Sequence, residues 1–148
     1  MSKHGLEIQT TVTSDEIAAS CNLIVTATPS HTPLLRAEQI REGTHITAMG
    51  ADTAEKNELE PAILGKADFV VADSIEQCRV RGEIHHALAA GVLESGEVRE
   101  LGKVIADPAL RRTADSQITV ADLTGVAMQD IQISKAVYQI LRSGPPSG

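Results

Sequence analysis

Four short polar segments hold the residues best suited to chemistry: Thr26-Ala27-Thr28-Pro29-Ser30, Gly50-Ala51-Asp52-Thr53, Ala72-Asp73-Ser74 and Asp122-Leu123-Thr124-Gly125. Each follows an apolar run. Each joins small residues, which let a ligand approach the backbone, to hydroxyls or carboxylates. Asp52 is one such carboxylate, placed where a ligand could be met. Asp52-x-x-Glu55 also has the spacing of a helix capping box. Spacing leaves both roles open, and both can hold at once. On their own, Lys56 reads as a solvated helix position and Thr124 as the N-cap of a helix from Val126. Asp73 reads as a cap or a structural residue near a ligand. His85 and His86 are adjacent on a helix and point about 100° apart, so they do not share a metal ion. One exposed and one packed histidine is the expectation, and no metal site is assigned. Cys78 has no base close in sequence. With Cys21 it reads as a reduced structural thiol, since there is no CxxC.

The elements that must position these segments follow from periodicity. Leu23–Thr26, Ile46–Met49, Phe69–Ala72 and Ile118–Ala121 are continuous apolar runs, the pattern of strands covered on both faces. Leu6–Val12 alternates instead and predicts an edge strand. Thr13-x-x-Glu16 predicts a capped helix to about Ser20. Pro33 predicts a helix running to Ile40, and Pro61 one ending near Gly65. Ser74-x-x-Gln77 predicts a longer helical stretch through Glu83–Leu88, ended by Gly91, and apolar spacing predicts a last helix from Val126 to Leu141. The first three buried runs start about 23 residues apart, which is the βα rhythm of a parallel doubly wound sheet. In such sheets ligands bind beyond the carboxyl ends of the strands, where the four polar segments stand.

Composition removes several functions. Phe69 and Tyr138 are the only aromatic residues, so base stacking on rings is not available and the core is aliphatic. The net charge of −7 comes without a basic cluster and argues against nucleic acid or an anionic membrane as partner. No apolar run approaches the roughly 18 residues of a membrane span, and Met1–Gly5 lacks a signal-peptide core. A cytoplasmic protein is the expectation.

The polar segments also carry a resemblance. Val25–Ser30, Gly43–Asp52, Lys56-Asn57-Glu58-Leu59, Asp73-Ser74, Arg81-Gly82-Glu83-Ile84 and Ile118–Asp130 together resemble the ornithine cyclodeaminase/μ-crystallin family, in order and spacing. The resemblance reaches nearly to Leu141. It implies NAD or NADP as cofactor and a small amino or imino acid as substrate. By this resemblance Asp52 is the general acid/base beside the nicotinamide. Thr26, Ala27 and Thr28 lie along the dinucleotide, Ala48, Met49 and Gly50 lie under the nicotinamide, and Lys56 lies near the cofactor. Thr124 lies where substrate and nicotinamide meet.

The resemblance also implies absences. Family enzymes are about twice as long, and none of the eleven glycines here falls in a G-x-G-x-x-G phosphate loop. The expectation is therefore an α/β chain with a partial Rossmann-type doubly wound parallel sheet that lacks its first βαβ unit. Residues 1–142 form the C-terminal part of the dinucleotide domain, with Met1–Gly5 as the end of a helix and 143–148 as a disordered tail. An N-terminal half would supply the dimer interface and the basic residues that hold the substrate carboxylate. Without it, one sheet edge is left open and the chain depends on a homodimer partner or a complementing half. Three functions remain open: half of an NAD(P)-dependent oxidoreductase or deaminating lyase, a non-catalytic binder of dinucleotide and ligand, or an inactive truncated remnant.

Overall fold

A computed structural model describes residues 7–143 of the chain. The expected helix end at Gly5 lies outside these residues, as does the expected tail beyond Ser143. Five parallel strands form one sheet: β1 (Leu23–Thr26), β2 (His45–Ala48), β3 (Phe69–Ala72), β4 (Val98–Glu100) and β5 (Thr119–Asp122). They lie in the order β1-β2-β5-β3-β4. Thr26, Ala48, Asp122 and Ala72 pair in register, so four neighbouring strands end on one line. The helices are α1 (Ser14–Ser20), α2 (Pro61–Lys66), α3 (Ile75–Cys78), α4 (Gly82–Ala89), α5 (Leu101–Ala106) and α6 (Ala127–Ser143).

The alternation of side chains along the strands decides where the core lies. Ile24, Ile46, Val70 and Val120 point to one face and are buried with Ile63 and Leu64 of α2 and Ile84 and Ala87 of α4. Ile63 is fully enclosed, and truncating such a residue to alanine costs about 2–5 kcal/mol. The opposite face is covered in part. Leu101, Val104 and Leu110 border a groove of about 470 Å³ over His45, Thr47, Phe69 and Val71, while Leu23 and Val25 of β1 are exposed.

Several expected elements differ. Residues 7–12 form no strand, and Ile8 and Val12 are exposed; among the described residues no strand lies beyond β1 to receive them. The helix from Pro33 reduces to one 3-10 turn, Ala37–Gln39. Here the chain stays extended because Leu34 and Leu35 donate their backbone N–H groups to the Glu58 carbonyl and Leu35 bridges Leu59. Thr13 makes no side-chain cap; the hydroxyl of Thr11 donates to Glu16 instead. The stretch from Ser74 to Gly91 breaks into α3 and α4 at residues 79–81, because Gly82 takes a φ of +84°. That turn lets the Ile84 N–H donate to the Asp122 carboxylate at 2.8 Å. β4 lies in the long stretch between the third and fourth expected buried strands, where the sequence predicts no strand. Residues 127–142 of α6 are all exposed.

Candidate active site at the strand ends

Beyond β2 the chain turns at Gly50 and runs irregularly to Glu60. No helix follows Asp52, which removes the capping role that its spacing allowed. Its carboxylate is exposed and accepts a 2.6 Å hydrogen bond from Lys56 Nζ. That bond, with the charges of Lys56 and Arg81, holds Asp52 below the usual carboxylate range. Lys56 is itself fixed from behind: an N–H of the His86 ring donates to the Lys56 carbonyl at 2.8 Å. His85 accordingly differs from expectation, since both imidazoles are half-buried and each meets a backbone carbonyl. No cluster among the described residues could hold a metal ion.

Beneath this rim lie three buried carboxylates. Glu58 is fully buried. Its Oε2 accepts from Thr26 Oγ1 at 2.7 Å and Gly50 N at 2.9 Å. Its Oε1 accepts from Thr28 N at 2.6 Å and Thr28 Oγ1 at 2.9 Å. Glu83 of α4 accepts from Glu58 N, Leu59 N and Asn57 Nδ2 at 2.7, 3.0 and 2.8 Å. Burial pushes Glu83 up to about 7, helped by the neighbouring Glu58 charge. Burial likewise raises Asp122 to about 7, with Glu83 and Asp73 adding like charge. None of the three acids was given a role from sequence. The available signal was a carboxylate set against apolar neighbours, in Glu58-Leu59, Glu83-Ile84 and Ala121-Asp122-Leu123.

Asp73 is structural. It accepts from Ser74 N and Gly125 N, each at 2.8 Å, and from Thr124 Oγ1 at 3.3 Å. Thr124 is thus buried against Asp73 instead of capping α6. Arg81 links the two sides of the rim: it reaches the Gly125 carbonyl at 3.5 Å and its charge acts on Asp52. Cys78 is buried and its thiol is pushed up by burial and by Asp122 and Asp73, so it is no nucleophile.

The chain that builds this site matches known proteins along almost its whole length. The model of the ornithine cyclodeaminase/mu-crystallin family matches residues 1–145. The chain belongs to that family. It is 41% identical over 138 residues to an uncharacterized cyclodeaminase of Sinorhizobium fredii, covering 93% of this chain and 42% of that protein. Among solved structures, the iminosuccinate reductase of Paracoccus denitrificans in complex with NAD+ aligns with a TM-score of 0.76 at 40% identity, over 84% of this chain and 38% of that one. The Δ1-pyrroline-2-carboxylate reductase of Thermococcus litoralis, in complex with NADH and L-proline, aligns with a TM-score of 0.85 at 28% identity, over 91% and 42%. The family member's sheet is therefore a partial Rossmann-like one, and the chain spans about two fifths of the length of the curated relatives it matches.

Proposed function

We propose that this chain supplies one part of the active site of an NAD(P)-dependent oxidoreductase or deaminating lyase acting on a small amino or imino acid, with Asp52 as its general acid/base. The observation that carries this reading is the state of Asp52. Asp73 and Asp122 at the other strand ends, and Glu58 beside them, are occupied by backbone or hydroxyl donors. Asp52 alone of these four is exposed and held by a flexible lysine.

The strand ends fit a dinucleotide. Thr26 and Ala48 are buried at the ends of their strands, and Ala27, Thr28, Met49 and Gly50 follow them at the surface or half-buried. A flat ligand can lie over these short residues at the strand ends. We place the cofactor along these residues and Lys56, with Thr124 on the substrate side. A bound nicotinamide supplies or accepts the hydride. The chain's own part is the proton. With its pKa lowered, Asp52 rests as a carboxylate at neutral pH. It is set to accept a proton from an amine or to balance an iminium, and Lys56 keeps its Oδ1 oriented. The region of the relatives that this chain does not match would supply the phosphate-binding loop, the substrate clamp and the homodimer contact.

The test is Asp52→Asn in the full-length protein, assayed with proline, ornithine, alanine and pyrroline-2-carboxylate. Turnover should fall about 10²–10⁴-fold, with NADH affinity kept. Unchanged turnover removes Asp52 from the mechanism. Absence of turnover on every substrate, with NADH still bound, would favour a binding protein over an enzyme.

A further inference from the structure

The ladder between β1 and β2 ends at Thr26 and Ala48, with one more bond from Met49 N to the Thr26 carbonyl. Past that point the strands pass into two loops, 27–34 and 49–60, which meet again farther out, where Asn57 N donates to the Ser30 carbonyl at 2.9 Å and Leu34 N to the Glu58 carbonyl at 2.7 Å. Next to the strand ends a side chain joins them. The Glu58 carboxylate lies between the loops and takes donors from both: Thr26 and Thr28 on one side, Gly50 on the other.

We propose that Glu58 is a positioning residue for the cofactor, a clamp that sets the spacing of the two loops along which the dinucleotide lies. This rests on the cofactor placement proposed above. Glu58 is fully buried, so it acts through Thr26, Thr28 and Gly50 rather than by contact with a ligand. The clamp is anchored in turn. Glu83 of α4 holds the Glu58 and Leu59 N–H groups, and the Glu58 carbonyl holds Leu34 and Leu35. The position of α4 is thereby passed to the loops through one residue.

The chemistry requires an acid. Four donors converge on the carboxylate, two on each oxygen. A hydroxyl can turn to accept, but a backbone N–H cannot. A glutamine amide in the same place therefore sets its NH2 against either the Thr28 N–H or the Gly50 N–H, whichever way it flips. Spacing is equally tight. A Cβ on Gly50 would stand 2.2 Å from the Thr28 carbonyl oxygen and 2.4 Å from Glu58 Oε1. Only glycine allows the loops to close on the carboxylate.

The test uses the full-length protein with Glu58→Gln and, as a milder second variant that keeps charge and volume, Thr26→Val. Three readouts are taken: NAD(P)H affinity by fluorescence titration, the split between KM for the dinucleotide and kcat, and amide hydrogen exchange in peptides spanning 24–30 and 48–52. Glu58→Gln should weaken dinucleotide binding and raise its KM about tenfold or more, leave kcat at saturating dinucleotide within about threefold, and speed exchange in both peptides. Thr26→Val should give a smaller change of the same kind. Faster exchange in both peptides with unchanged dinucleotide affinity sinks the inference and makes Glu58 purely structural. So does a Glu58→Gln protein that folds and binds like wild type. If Glu58→Gln fails to fold, Thr26→Val decides, and unaltered affinity there overturns the clamp. A wild-type protein that binds no dinucleotide overturns the cofactor placement itself, and the clamp's purpose with it.

Discussion

Two kinds of acid stand at the carboxyl end of this sheet. Glu58, Glu83 and Asp122 are buried and accept hydrogen bonds from backbone amides. Asp52 is exposed and meets one flexible lysine. The buried acids have given their acceptor capacity to the fold, and removing one strands its donors. Asp52 keeps most of its acceptor capacity facing solvent. Under the function proposed above, the buried carboxylates hold the site and the exposed one serves in it.

The sharpest way to break this contrast is to truncate a buried acid. Glu83→Ala leaves the Glu58 and Leu59 N–H groups and the Asn57 amide without an acceptor. At about 1–3 kcal/mol for each stranded group, the loss should be about 3–5 kcal/mol, read by urea denaturation. A loss under 1 kcal/mol would show that water replaces the carboxylate. Next comes Gly82→Ala, which forces an alanine to φ +84° with its Cβ 2.6 Å from Asp122 Oδ2. A cost of about 2 kcal/mol is expected, with the Ile84 hydrogen bond as the first casualty.

A pH titration sharpens the comparison further. Glu83 and Asp122 are raised from their ordinary values to about 7 in the fold. The folded chain then holds protons more tightly than the unfolded one. Their contribution is complete below about pH 4, falls as pH rises to about 7, and is flat above that. The melting temperature should fall over that window, by an amount corresponding to about 1.4 kcal/mol for each pH unit by which either group is raised, and the fall should shrink in a Glu83→Gln variant. An ordinary ion-paired carboxylate gives the reverse slope. The smallest effect belongs to Asp52→Asn, whose stability should stay within about 0.5 kcal/mol of the original while activity collapses. A stability loss comparable to that of Glu83→Ala would erase the distinction.

The sequence carried the fold further than the site. The limits of β1 and β3 were legible to the residue because continuous apolar runs mark parallel strands, although β1 is open on one face, where Leu23 and Val25 are exposed. β4 was not: Val98-Arg99-Glu100 carries two charges, and it becomes a strand by pairing with β3 while Arg99 stacks on the Phe69 ring at 3.8 Å. Residues 7–12 show the converse, an alternating pattern that finds no strand to pair with among the described residues. Asp52 could be singled out because ligands gather at strand ends and its motif resembles a family's. Glu58 and Glu83 could not. Their meaning lies in contacts across 25 to 32 residues of sequence, and no local spacing encodes such a contact.

The strand order has a consequence in time. β2 and β3 follow one another along the chain yet never touch, because β5 lies between them. Until residues 119–122 have been made, the sheet exists only as two unjoined pairs, β1 with β2 and β3 with β4. Two-stranded pieces are marginal in water. A ribosome adding about 5–20 residues each second therefore leaves both pairs waiting several seconds for the strand that joins them. That same strand brings Asp122, the carboxylate on which α4 is seated. A chain cut before Ile118 should thus stay unfolded as a whole, instead of losing one strand.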